Sequence, residues 1–81
     1  MKIRILAFAT AAEALGGREI ELEVPAGTRV SDLAGRMAED HPALAPLWPR
    51  LAVAVDGQLA QTSTVIAAGA EVALLPPVSG G

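Results

Sequence analysis

The sequence predicts an α+β domain, a mixed β-sheet packed on one main helix, and three observations carry that expectation. Residues 2–5 and 19–24 alternate charged and apolar side chains at the period of a strand, and Ala7 continues the face of Ile3 and Ile5. Val30, Leu33, Ala34, Met37 and Ala38 then recur at the spacing of one helical stripe. After that helix Leu51, Val53 and Val55 restore the period of two, and residues 71–75 read as a further strand. Two opening strands, a crossover helix and later strands make a mixed sheet around the helix.

The first strand is predicted over residues 2–9, with Ile3, Ile5 and Ala7 on one face and Lys2, Arg4, Leu6 and Phe8 on the other. Thr10 to Leu15 is rich in Ala and suits a helical turn, which Gly16-Gly17 ends. In the second strand Ile20, Leu22 and Val24 face a core, Glu19, Glu21 and Glu23 form a solvated acidic row, and Pro25-Ala26-Gly27 closes it. Ser31 or Thr28 is expected to cap the main helix. Asp32 suits the positive end of its dipole, and His41-Pro42 stops it, because the residue before proline avoids helical dihedrals.

Residues 43–50 contain two prolines and read as an irregular crossing pinned to the core by Leu47 and Trp48. Leu51, Val53 and Val55 mark a third strand, and Asp56-Gly57 is a hairpin turn leading into a short segment at Gln58 to Ala60. Val65 to Gly69 reads as a short helical turn, and Glu71 to Leu75 as the last strand, after which Pro76-Pro77 forbids further ladder donation. The expected organisation is one domain at 1–75 and an extended tail at 76–81.

Composition narrows the function classes. The chain has 81 residues, which leaves room for one small domain. Its net charge of −3 has the wrong sign for gripping phosphate backbones, and one Phe and one Trp cannot build a base-stacking platform, so nucleic acid is not an expected partner. With no Cys there is no thiolate metal site, nucleophilic thiol or persulfide, and no metal is expected. Residues 1–6 alternate charged and apolar where a leader would be continuously apolar, and no later run approaches bilayer length. A cytoplasmic protein with no membrane partner is the expectation.

A conventional active site is hard to assemble from these residues. The sole imidazole, His41, sits before a proline at a helix end, where interaction with the helix dipole accounts for it. There is no G-x-x-x-x-G-K-[ST] loop to hold ATP. The glutamates at 19, 21 and 23 read as a wet face or as a charge guiding a partner.

The carboxyl end offers more. Six residues from Pro76 to Gly81 reach at most about 20 Å when extended, and the last two have no side chain. Such an arm can enter a tunnel too narrow for any Cβ. A carboxylate is a poor electrophile, but converted to an acyl-adenylate by a partner it would accept sulfide and become a thiocarboxylate, a sulfur carrier that needs no cysteine.

The run Gly69-Ala70-Glu71-Val72-Ala73-Leu74-Leu75-Pro76-Pro77-Val78-Ser79-Gly80-Gly81 resembles the ending of the small, sulfur-carrying subunits of molybdopterin synthase. The first strand, the Ala-rich turn and the 51–59 hairpin fit as well, so the resemblance spans essentially the whole chain. The chain departs from that pattern at Ala70, where the family usually has Asp, and at Asp56, where it often has Asn.

The resemblance implies a ubiquitin-like β-grasp fold and a non-catalytic, sulfur-donating role. An adenylyltransferase that uses ATP would activate Gly81, and a sulfurtransferase would install the sulfur. The tail residues Pro76, Pro77, Val78, Ser79 and Gly80 would then enter the large subunit, in a heterotetramer of two small and two large subunits. There the thiocarboxylate would donate sulfur to a cyclic pyranopterin precursor to form the dithiolene of molybdopterin. Matching the family pattern position by position places Phe8, Leu59 and Leu75 in the patch that meets the large subunit. No cofactor is expected on the chain itself. The alternatives are a sulfur carrier for the thiazole of thiamine, a ubiquitin-like protein modifier, and an interaction module whose glycine tail is inert.

Overall fold

The computed structural model describes residues 1–76. The predicted Pro77–Gly81 part of the tail lies outside the described residues, and so does the place where the expected tail ends. Among the described residues, five strands form one mixed sheet in the order β2-β1-β5-β3-β4, with two α-helices and two short 3₁₀ turns. The strands are β1 (Lys2–Ala7), β2 (Glu19–Glu23), β3 (Ala52–Val55), β4 (Gln58–Leu59) and β5 (Glu71–Leu75); the helices are α1 (Ala9–Leu15) and α2 (Val30–Asp40).

Central β1 pairs antiparallel with β2 and parallel with β5, and β5 pairs antiparallel with β3. The register aligns Ile5 with Ile20 and with Val72, and Leu74 with Ala7 and with Val53. One face of the sheet is therefore a continuous apolar layer. Val30, Leu33 and Met37 of α2 pack on it, as the helical stripe predicts, with Ala11 and Leu15 of α1 beside them. Ile20 and Leu22 are only half-buried, because β2 is an edge strand with one neighbour.

Several boundaries differ from the sequence reading, each for a local reason. The first strand ends at Ala7: Phe8 is the extended residue before α1, and Ala9 takes φ +51° to turn the chain into that helix. The Ala-rich turn is a seven-residue helix, closed by Gly16 in the left-handed region at φ +83°. The cap of α2 is Arg29; the Thr28 hydroxyl instead donates to the Pro25 carbonyl at 2.7 Å, and Asp32 Oδ2 accepts the Arg29 N–H at 3.0 Å. Residues 42–44 and 48–50 are 3₁₀ turns, and the fully buried anchor of the crossing is Leu44, with Leu47 and Trp48 half-buried. Residues 65–69 form no helical turn. Val65 bridges Arg29, the Ile66 N–H donates to the Thr28 carbonyl at 2.9 Å, and Ile66 is buried, so tertiary pairing overrides the local preference.

Candidate functional site: the open sheet face and the exit of the chain

Among the described residues the second face of the sheet carries no helix, and the register arranges it in rows. Arg4 lies between Glu21 on β2 and Glu71 on β5. Its guanidinium pairs with Glu71 and, at 3.2 Å, with Glu19, while Lys2 Nζ stands 3.9 Å from Glu21. These groups are 42–69% exposed, and such pairs contribute about 0–1 kcal/mol each. They make one end of the open face a charged, hydrated surface.

The next row is apolar and crosses four strands. Leu6 aligns with Ala73, Ala73 with Ala54, and Ala54 with Leu59. Beyond it Leu75 aligns with Ala52. None of these six side chains joins the core cluster, so they form a second apolar surface rather than an extension of the first. Leu59 is 77% exposed and Phe8, one residue past the end of β1, is 48% exposed. Leu75 is half-buried.

Beside Phe8 lies an open hollow of about 400 Å³, lined by Leu6, Phe8, Ala9, Ala12, Arg18 and Glu19. A hollow of about 420 Å³ lies between the β2–α2 loop and the start of α2, away from the open face.

Because β5 runs parallel to β1 with Leu74 beside Ala7, the chain leaves the sheet at the apolar end of the open face. Pro76, half-buried and outside the ladder, is the first residue beyond β5. The structure thus brings Phe8, Leu59 and Leu75 onto one side of the sheet, at the end from which residues 76–81 depart. Tail positions Pro77, Val78, Ser79, Gly80 and Gly81 lie outside the described residues.

The sequence reading did not single out Leu6, Ala54 and Ala73 as part of this surface. Leu6 had a signal, since alternation sets it on the Phe8 side of β1. Ala54 and Ala73 had none, because a small side chain marks neither face until its strand partners are known. His41 closes α2, its N–H donating to the Met37 carbonyl at 2.8 Å, and lies apart from these rows. Among the described residues, no group of three His, Cys, Asp or Glu side chains is placed to hold a metal ion. No helix among them is long and apolar enough to cross a membrane.

A family model described as the ThiS family matches residues 5–81. The chain belongs to the ThiS family. It is 37% identical over 83 residues to the molybdopterin synthase sulfur carrier subunit of Mycobacterium tuberculosis, covering 100% of this chain and 99% of that protein. It is also 35% identical over 82 residues to small archaeal modifier protein 1 of Haloferax volcanii, covering 91% of this chain and 94% of that one. The crystal structure of the Haloferax protein superposes with a TM-score of 0.86 at 31% identity, over the full length of both chains. A Caldiarchaeum subterraneum ubiquitin superposes with a TM-score of 0.65 at 22% identity, covering 100% of this chain and 98% of that chain. Like these relatives, the ThiS-family domain described here is a ubiquitin-like β-grasp, with the five-stranded sheet and two helices seen above.

Proposed function

We propose that this chain is the sulfur carrier of a molybdopterin synthase, with Gly81 as the atom-bearing residue. An adenylyltransferase joins the Gly81 carboxylate to AMP from ATP, a sulfurtransferase delivers sulfur, and the resulting thiocarboxylate enters the large synthase subunit. There it donates sulfur to a cyclic pyranopterin precursor. This chain supplies the reactive atom; the large subunit supplies the pocket and its side chains.

The observation that carries the proposal is the shared position of the apolar rows and the exit of the chain. A partner that covers Phe8, Leu59 and Leu75 meets residues 76–81 at the same time. An exposed apolar patch of this kind is a usual mark of an interface. Residues 76–80 then need no pocket of their own, only a channel, and a terminal Gly-Gly passes where a Cβ would not.

Intact-mass measurement on the protein isolated from its source cell tests the reading. A mass gain equal to sulfur replacing one oxygen, located on Gly81, supports it. A chain found only as the free carboxylate while the cell makes molybdopterin overturns it. Recovery of the chain in complex with a pyranopterin-binding partner separates this pathway from the thiazole of thiamine.

The identity with small archaeal modifier protein 1 favours a second reading, in which the same activated Gly81 is joined to an amine. The two readings share the activation step and differ in the nucleophile, sulfide in one and a lysine nitrogen in the other.

A further inference from the structure

We propose that Arg18 is a docking residue for the large synthase subunit, and that the hollow beside Phe8 receives a partner segment in which an apolar side chain stands next to a carboxylate. The inference rests on the function proposed above and names the chemistry of the surface that meets Phe8. Arg18 is exposed, one residue before β2. Its carbonyl accepts the Ala7 N–H at 2.8 Å, which holds the residue beside the end of β1 and so beside Phe8.

The protein does not compensate this charge itself, although it has nine acidic side chains for six basic ones. Lys2, Arg4 and Arg36 each stand against a carboxylate, and Arg29 donates to the Ser63 carbonyl at 2.6 Å. Among the described residues Arg18 has no such partner. Its neighbour Glu19 also lines the hollow, but the Glu19 carboxylate is taken by Arg4 at 3.2 Å. Glu13, exposed on the adjoining α1, is not part of the lining. Arg50, the other described cation without a carboxylate, precedes β3 and lies across β1 and β5 from the hollow.

The hollow itself dictates what fills it. Leu6, Phe8, Ala9 and Ala12 give it an apolar floor, and Arg18 stands at its charged rim. A partner that covers Leu6 and Phe8 therefore takes water from Arg18 as well. The guanidinium stays protonated, and a cation stripped of water without an acceptor opposes association. A carboxylate satisfies two donors of the planar fork at once, and the apolar side chain beside it fills the floor.

The position of Arg18 also fixes how the partner is turned. Ala7 lies between Arg18 on one side and Leu74 on the other, so Arg18 stands in the row at which the chain prepares to leave the sheet. Along β2 the sign then reverses, with Glu21 and Glu23 toward the opposite end. A partner carboxylate seated at Arg18 places the rest of that subunit over the exit. Rotated by half a turn, the same carboxylate would face Glu21 and Glu23, and like charges reject that orientation.

The test titrates the large synthase subunit purified from the same cell with the full chain and with Arg18→Gln, Arg18→Glu, Phe8→Ala and Arg36→Gln, at low and at high salt. Arg36 is the control, because α2 lies on the other side of the sheet. Arg18→Glu is expected to weaken association at least about tenfold, and Arg18→Gln less, with a shallower dependence on salt than wild type because a screened ion pair has been removed. Arg36→Gln should bind within about twofold of wild type, as a cation outside the interface does. Arg18→Glu binding as tightly as wild type, an unchanged salt dependence in Arg18→Gln, or an equal loss in Arg36→Gln would each overturn the inference. If Phe8→Ala weakens binding and Arg18→Glu does not, the Arg18 assignment alone falls. If the wild-type chain does not bind the large subunit at all, the proposed function is refuted, and the docking role falls with it.

Discussion

Asp56 and Glu71 are tied to each other twice: Asp56 Oδ1 accepts the Glu71 N–H at 2.9 Å, and the Asp56 N–H donates to the Glu71 carbonyl at 2.8 Å. Asp56 and Gly57 both take positive φ, +49° and +82°, as a two-residue type I′ hairpin turn requires. The side chain thus fastens the β3–β4 hairpin to the first residue of β5, the strand that leads to Gly81.

Asp56→Ala is therefore expected to cost about 1–2 kcal/mol, from a lost hydrogen bond and a Cβ residue without the Asx tolerance of left-handed dihedrals. Asp56→Asn keeps both the Oδ1 acceptor and that tolerance, and should stay within about 0.5 kcal/mol of wild type. Urea midpoints at unchanged m-value measure the difference. Equal losses for the two variants would mean that the hydrogen bond does not fasten the hairpin.

The contrast between Leu44 and Phe8 separates core from surface. Leu44 is fully buried where the 42–50 crossing meets α1 and α2, so Leu44→Ala should cost about 2–5 kcal/mol. Phe8 is 48% exposed and outside the core cluster, so Phe8→Ala should cost under about 1 kcal/mol while, under the proposed function, weakening association with a large synthase subunit at least tenfold, or about 1.4 kcal/mol. Thermal melts and titration calorimetry on the same two variants check this. A Phe8→Ala loss of several kcal/mol in stability would place that ring in the core.

How much of this was legible in the sequence depends on where the decisive contacts lie. The β2 glutamates, the α2 stripe and the Asp56-Gly57 turn were readable because each is fixed within a few residues of itself. Residues 65–69 misled because Val65 and Ile66 are held by Arg29 and Thr28, more than thirty residues away, and no local pattern carries that pairing. Leu44 gave way to Leu47 and Trp48 in the sequence, since nothing local tells which apolar side chain of the crossing turns inward until the path of the chain is known. The candidate surface was half legible. Alternation sent Phe8 outward, and the family pattern supplied Leu59 and Leu75, but the Leu6–Ala73–Ala54–Leu59 row exists only through the sheet order.

Ala9 is a strained position with a measurable signature. At φ +51° its Cβ crowds the backbone, at a cost of about 1–2 kcal/mol, whereas glycine accepts that region freely. Ala9→Gly is expected to stabilise the fold by about 0.5–1 kcal/mol after the greater entropy of its unfolded chain is subtracted. Ala12→Gly, inside the same helix, should destabilise by about the same amount. Loss of stability in both variants would show that residue 9 has ordinary helical dihedrals in solution.

Deletion of Gly81 should divide stability from function more sharply than any substitution. Among the described residues the core cluster includes nothing beyond Leu74, and the last ladder pairing of β5 is Leu75 with Ala52, six positions before the final glycine. Removing that residue takes no described contact from the fold, so the urea midpoint should stay within about 0.5 kcal/mol of wild type. Under the proposed function the shortened chain should still bind the large subunit through Phe8, Leu59 and Leu75, because those side chains lie on the sheet or directly beside it. Transfer should nevertheless stop: Ser79-Gly80 would present the carboxyl one residue short, about 3.3 Å from where the partner's reacting groups stand, and displacement by an ångström already costs about a hundredfold in rate. Single-turnover sulfur transfer by a thiocarboxylated Gly81-deletion chain is the direct measurement, and activity within tenfold of wild type would show that the reach of the tail does not set the chemistry.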